Sequence, residues 1–128
     1  MVHHREDLPP LPGSVAVARA VVAGMLREHG LEDVVHEALV VTSELVTNAL
    51  QHAGTTFALD VDVDPDRLRI AVLDGDAASL DDVVSREAVA RGAQHYGLRL
   101  VGALSDEWGT GELLDGKVVW AELHLPRA

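Results

Sequence analysis

The fold of this chain is decided by residues 33–53, DVVHEALVVTSELVTNALQHA. Apolar residues recur in this stretch with the period of about 3.6 residues that is typical of an α-helix. On a helical wheel they form one broad arc together with a single threonine: Val35, Ala38, Leu39, Thr42, Leu45, Val46, Ala49 and Leu50. The pattern predicts a long amphipathic helix that packs on a core through this arc.

The opposite arc of the helix is polar, with Val40 and Val41 as its two apolar exceptions. Its polar members are Glu37, Glu44, Thr47, Asn48, Gln51 and His52. Glu44, Asn48 and His52 follow one another at intervals of one turn, so they share a face and can address one ligand. Carboxylate and amide oxygens suit Mg²⁺, which makes Asn48 a candidate metal ligand and Glu44 a candidate general base. A solvated helix face is the alternative interpretation.

After the helix, the sequence changes to a period of two residues, which is typical of β-strands. Apolar Phe57, Leu59, Val61 and Val63 alternate with Ala58, Asp60, Asp62 and Asp64. A turn at Pro65 and Asp66 leads into a second strand with Leu68, Ile70 and Val72, so the two strands predict an antiparallel hairpin. The second strand runs directly into Asp74 and Gly75.

The remaining elements complete an α+β pattern in a single domain that covers residues 1–128. Residues 1–13 are expected to be an extended N-terminal segment in which His3 and His4 are disordered. Ser14 is a candidate N-cap for a first helix over residues 15–29, which ends before Gly30. A third helix is expected over residues 98–104, and a final hairpin over residues 108–114 and 118–125 with its turn at Asp115 and Gly116. Helices on one face of a mostly antiparallel sheet would bury this pattern as a two-layer α/β sandwich.

Composition excludes several classes of function. The 128 residues carry a formal net charge of −11, which argues against a nucleic-acid partner because phosphate binding requires clustered Lys and Arg. The chain contains no cysteine, so disulfides, thiolate catalysis and thiolate metal sites are excluded. No apolar stretch approaches the roughly 20 residues of a membrane span, and residues 1–7 do not resemble a signal peptide. A cytoplasmic protein is therefore expected.

The segment from Glu44 to Ala53, ELVTNALQHA, resembles the N-box of the GHKL superfamily of ATPases, and is most similar to the branch of anti-sigma-factor serine kinases. In that branch the glutamate of the motif is the proposed base, the asparagine coordinates Mg²⁺ and the histidine closes the motif. The resemblance thus assigns these roles to Glu44, Asn48 and His52.

Two further motifs extend the resemblance. The family has a strand-end D-x-G motif whose aspartate accepts the adenine amino group. Asp74 corresponds to that aspartate, although Gly75 follows it directly and the spacing differs. An ordinary turn is the alternative for this pair. The family also has a glycine-rich turn that opens a helix and binds phosphate. Tyr96, Gly97 and Leu98 resemble its second half, whereas His95 replaces the first family glycine.

The resemblance implies a Bergerat ATP-binding fold with ATP and Mg²⁺ as cofactors and a lid formed by residues 76–95. It also implies phosphorylation of a serine on an anti-sigma-factor antagonist, sequestration of a sigma factor, and a homodimer. Two other functions stay open on the residues themselves. One is a non-catalytic module that binds a partner with a degenerate nucleotide site, and the other is an ATPase without a protein substrate.

Overall fold

The computed structural model describes residues 1–52, 55–74, 96–113 and 116–125. Strand β1 (Val2–Leu8) precedes helix α1 (Gly13–Glu28), a 3₁₀ turn (Glu32–Val34) and helix α2 (Val35–His52). Strands β2 (Phe57–Val63) and β3 (Arg67–Asp74) follow. Helix α3 (Tyr96–Leu104) and strands β4 (Glu107–Leu113) and β5 (Gly116–His124) complete the described part of the chain.

The strands form one antiparallel sheet in the order β1-β2-β3-β5-β4. The predicted hairpins are both present, as β2–β3 and β4–β5, and β5 lies between β3 and β4. The register places Asp74 of β3 directly opposite Lys117 of β5. Because side chains alternate across a strand, the odd-numbered residues of β5 from Lys117 onwards all face the helices.

The core lies between one face of this sheet and the helices, which confirms the predicted α+β sandwich. Helix α2 contacts α1, α3, β3 and β5 and is the central helix of the described layer. Its arc is buried as predicted at Ala38, Thr42, Leu45, Val46 and Ala49.

The position predicted for Val41 on the helix wheel is wrong. The helical wheel places Val41 on the polar arc, yet its side chain is 0% exposed. The physical reason is that α1 and α3 contact α2 in addition to the sheet. Arg19 of α1 adds to this contact by donating from Nη1 to the carbonyl of Leu39, at 3.2 Å, and to Oγ of Ser43, at 2.6 Å. Helix α2 is therefore buried over a wider arc than an amphipathic surface helix.

The N-terminal region differs from the prediction in two ways. Residues 2–8 are extended, but they form the edge strand β1 along β2 instead of a segment with disordered histidines. An edge strand needs partners on one side only, so its polar side chains do not prevent pairing, and Nε2 of His3 lies 3.5 Å from a carboxylate oxygen of Asp60. Ser14 is not the N-cap of α1, because the helix begins at Gly13 and Ser14 donates its hydroxyl to the carbonyl of Pro9 at 2.7 Å. Gly30 has a φ of 68°, as expected of the residue that ends a helix.

The turn between β2 and β3 is closed by Arg67. Its Nε donates to Oδ2 of Asp64 at 3.1 Å, and its Nη1 lies 3.2 Å from Oε1 of Glu122. The hydrogen bond with Asp64 and the charge of Glu122 raise the pKa of Arg67 above its ordinary value. The guanidinium thus links the hairpin to β5.

On the sheet face opposite the helices, residues of the three strands β3, β5 and β4 pack closely together. Arg69 lies over the ring of Trp120, 5.0 Å from its centroid. Gly109 stands opposite Trp120 in the register, and a Cβ on this glycine would lie 2.9 Å from Cζ2 of the indole. Glycine is therefore required at this point of β4.

Across the described residues, no helix is long and apolar enough to cross a membrane.

Candidate functional site

A small cavity lies where α2 crosses the end of β3 and the start of β5. Its volume is about 10 Å³, enough for the centre of one water molecule. Its walls combine apolar and polar side chains: Leu45, Asn48, Ala49, Val72, Asp74, Lys117 and Val119. Asn48 and Asp74 are 26 residues apart in the sequence, and the fold brings both of them to the wall of this cavity.

Asn48 is buried on α2 and its amide is not satisfied. The residue is 7% exposed, and within the described part of the chain its Nδ2 has no hydrogen-bond partner. A buried N–H group without an acceptor costs about 1–3 kcal/mol, so such groups are rare in folded proteins. Rotation about χ2 exchanges Nδ2 with Oδ1, so this side chain can offer either a donor or a hard oxygen ligand.

Glu44 and His52 stand one turn before and one turn after Asn48. Glu44 is partly exposed, so its carboxylate is in contact with solvent. His52 is the last residue of α2. Along this row of α2, Asn48 is buried and Glu44, one turn before it, is partly exposed.

The polar end of the cavity is formed by a buried ion pair. Nζ of Lys117 lies 3.1 Å from Oδ1 and 3.0 Å from Oδ2 of Asp74. Both side chains are 1% exposed. Removing two charges from water costs several kcal/mol each, and this cost is offset only when the charges are paired closely, as they are here. The Asp74 carboxylate therefore lies at the cavity with an ammonium group on both of its oxygens.

Other predicted site residues lie at the start of α3, which packs against α2, or outside the described residues. Tyr96, Gly97 and Leu98 form the first turn of α3, and Leu98 is 0% exposed. The helix therefore begins two residues earlier than predicted. Gly75 and the predicted lid at 76–95 lie outside the residues that the structure describes. The phosphate-binding role of this segment stays a prediction.

Sequence reasoning missed Lys117, which the structure places at the centre of the site. A signal was present, because Lys117 is the only lysine of the chain and stands in phase with Val119, Ala121 and Leu123. Alternation alone therefore places its side chain on the core face of β5. Its partner could not be inferred, since the pairing of β5 with β3 joins positions separated by 43 residues.

Comparison with solved structures shows the fold. In all, 22 chains of solved structures match this chain at a significant level. One is the crystal structure of the RsbU and RsbW domains of Rv1364c from Mycobacterium tuberculosis, with a TM-score of 0.74 and 18% sequence identity. The alignment covers 100% of this chain and 34% of that chain, so this chain spans about a third of that protein. No curated protein matches this chain at a significant level.

Comparison with protein families gives a match over nearly the whole chain. The model of the histidine kinase-like ATPase domain matches residues 8–122. This range runs from the end of β1 into β5 and includes α2, Asp74 and Lys117. Together with the antiparallel sheet and its layer of helices, the match shows that this chain belongs to the histidine kinase-like ATPase family.

Proposed function

We propose that this chain is a cytoplasmic, ATP-binding regulator of the anti-sigma-factor kinase type. In this proposal it phosphorylates a serine of an antagonist protein and, in another state, holds a sigma factor inactive. The observation that carries the proposal is the convergence of Asn48 and Asp74 on one cavity. Membership in an ATPase family and the N-box resemblance from Glu44 to Ala53 support it.

The polar residues that line the cavity fit a magnesium nucleotide. Asn48 has a buried amide that lacks a partner among the described residues, which is expected of a group that is satisfied only when a ligand binds. Its Oδ1 is a hard oxygen ligand of the kind that Mg²⁺ takes alongside water and phosphate oxygens. Asp74 offers carboxylate oxygens, which accept hydrogen bonds from the amino group of a base.

Glu44 is the proposed general base. It stands one turn from Asn48 on the same side of α2, and its partial exposure allows a hydroxyl from another protein to approach. The carboxylate would accept the proton of the serine hydroxyl, while Asn48 holds the metal against the phosphates. When bound, magnesium ATP supplies the phosphoryl group that is transferred.

Transfer of labelled γ-phosphate from ATP to a candidate antagonist tests the catalytic part of the proposal. We expect Glu44→Gln to reduce the rate of transfer by about 10²–10⁴-fold, with little effect on nucleotide binding. Glu37→Gln is the matched control, because Glu37 lies on the same helix and is also partly exposed. It should leave the rate unchanged. Binding of ATP without transfer to any candidate partner would refute the kinase function.

A second candidate function is a non-catalytic module that binds a protein partner. The ion pair favours it, because Asp74 already has a cationic partner and the cavity beside it is small. Calorimetric titration with magnesium ATP separates the two candidates. Heat of binding and a rise in melting temperature support the first, since a ligand that binds the folded state stabilises it. The absence of both supports the second.

A further inference from the structure

Strand β1 forms one edge of the sheet, and that edge is open. Its seven residues, Val2–Leu8, all pair with β2 on one side. In the described part of the chain no strand lies on its other side, and the backbone groups that point away from β2 have no hydrogen-bond partner there. A row of such N–H and C=O groups is a template on which a further strand can pair.

The usual means of protecting a sheet edge are a very short strand, a proline, a bulge or charged side chains. Strand β1 is not short, contains no proline, and pairs with β2 without the interruption that a bulge would cause. Its exposed side chains are polar: His3, His4, Arg5 and Asp7. These side chains therefore decide which strands can pair with the edge and which cannot.

Donor and acceptor side chains are sorted along β1. His3, His4 and Arg5 occupy the first half of the strand, and Glu6 and Asp7 follow. A second copy of β1 in parallel would place like groups opposite one another. An antiparallel copy instead places donors opposite carboxylates, and cross-strand pairs of opposite charge stabilise a sheet. The charge order of the edge is therefore complementary to an antiparallel copy of itself.

The geometry of antiparallel strands also restricts the register. Residues whose backbone groups point out of the edge must face each other, so the two residue numbers of every pair have an even sum. A sum of ten pairs all seven residues: Val2 with Leu8, His3 with Asp7, His4 with Glu6, and Arg5 with itself. Sums of eight and twelve pair only five residues and place His4 or Glu6 opposite its own copy. The register with Arg5 at its centre is therefore the most complementary.

We propose that two copies of this chain associate through β1, antiparallel about a two-fold axis at Arg5. The imidazole of a histidine has an N–H that donates to a carboxylate whether or not the ring is charged, so the histidines and acids of the two copies pair. The two Arg5 side chains face each other, and each keeps Asp7 of its own strand, with 3.7 Å between Nε and Oδ1. Such a contact is closed, since each copy uses its β1 edge once. It requires no nucleotide, so it is independent of the proposed function.

The expected association is weak. A contact through one strand is at the low end of interface sizes, so we expect a dissociation constant of about 10–100 µM. Existing contacts of β1 do not oppose it. Nε2 of His4 lies 2.9 Å from Oε1 of Glu6 in the same strand, but both side chains are exposed, and exposed pairs contribute about 1 kcal/mol at most. Both side chains can therefore turn to the second copy.

Disulfide formation tests the register, because the chain contains no cysteine of its own. In the proposed pair the two Cα atoms of residue 5 are about 4.5–5.5 Å apart, within the range that a disulfide spans. Arg5→Cys should therefore form linked dimers under mild oxidation. His3→Cys is the matched control, since it is also exposed on β1 but lies about 14 Å from its own copy across the axis. We expect Arg5→Cys to link at least about tenfold faster.

Sedimentation equilibrium of the full chain measures the association itself. Asp7→Lys removes the acceptor that faces His3, and should weaken the dimer at least about fivefold. Glu28→Lys, at an exposed position of α1, changes the net charge equally and should not weaken it. Circular dichroism confirms that the variants are folded.

Three results would overturn the inference. One is a wild type that stays monomeric at about 500 µM, well above the expected dissociation constant. Another is a dimer that Asp7→Lys does not weaken. The third is a dimer in which Arg5→Cys links no faster than His3→Cys, because its interface would then lie elsewhere on the chain.

Discussion

Substitution of Asn48 by alanine is expected to stabilise the protein in the absence of a ligand. The residue is 7% exposed, and its Nδ2 has no partner among the residues that the structure describes. Stability and ligand binding therefore make opposite demands on this position. The same amide that costs stability without a ligand is the group that we propose to hold the metal.

The expected magnitude follows from three contributions. Removing a buried donor that has no acceptor recovers about 1–3 kcal/mol. Alanine also has a helix propensity more favourable than that of asparagine by up to about 0.7 kcal/mol. Against these gains, the space left by the amide costs about 1 kcal/mol. We expect a net increase in the free energy of unfolding of about 1 kcal/mol, which corresponds to a rise in melting temperature of about 4 °C for a domain of this size.

Thermal melting with and without magnesium nucleotide tests both halves of this prediction. Without nucleotide, Asn48→Ala should melt above the wild type. With a nucleotide at about a hundred times its wild-type dissociation constant, the wild type should gain about 2.7 kcal/mol and the variant much less. Thr47→Ala, at the partly exposed neighbouring position, is the matched control and should keep the wild-type gain. If Asn48→Ala were destabilised by about 1 kcal/mol or more without a ligand, the amide would have a native partner and the reasoning would be refuted.

Three further predictions concern the sheet. Gly109→Ala should lower the free energy of unfolding by about 1–3 kcal/mol because its Cβ would lie 2.9 Å from an indole carbon, whereas Gly111→Ala, with its nearest contact at 3.4 Å, should change it by about 0.5 kcal/mol at most. Urea denaturation of the two variants checks this, and equal losses would contradict it. Lys117→Met should lower the free energy of unfolding by about 3–5 kcal/mol because it removes the ammonium that faces the buried carboxylate of Asp74, and a double variant that also carries Asp74→Leu should recover part of the loss. A double variant less stable than Lys117→Met would argue against the pair as the cause. Because its neighbours raise the pKa of Arg67, its contribution to the free energy of unfolding is complete below the ordinary pKa of an arginine and is lost only as pH rises through the higher folded-state pKa. The difference in melting temperature between the wild type and Arg67→Met should therefore be equal at about pH 7 and about pH 10, and a smaller difference at the higher pH would contradict the assignment.

The elements that could be predicted from the sequence are those with a strong local pattern. Helix α2 has many apolar residues at helical spacing, and the β2–β3 hairpin alternates apolar with charged residues on either side of Pro65. Strand β1 has no such pattern, because it lies at the edge of the sheet and most of its side chains are polar. The burial of Val41 could not be predicted either, since it depends on helices that pack beside α2.

The candidate site was predictable on the helix and less so on the sheet. The spacing of Glu44, Asn48 and His52 on one helix follows from the sequence, and α2 contains all three. Their roles stay predictions. The cavity itself arises from contacts between α2, β3 and β5, which are distant in the sequence. The ion pair of Asp74 with Lys117 depends on the register of two such strands, and local sequence contains no information on that register.

The insertion of β5 between β3 and β4 has a consequence for the order of folding. Lys117 reaches Asp74 across 43 residues, so the loop that joins them must close before the pair can form. The β2–β3 and β4–β5 hairpins involve short loops, and either can form before the two join. The cavity is therefore absent from any intermediate in which the hairpins are separate, and it is created at the step that joins β3 to β5. Nucleotide affinity in such a protein reports that β3 and β5 have joined, because no form in which they are separate contains the cavity.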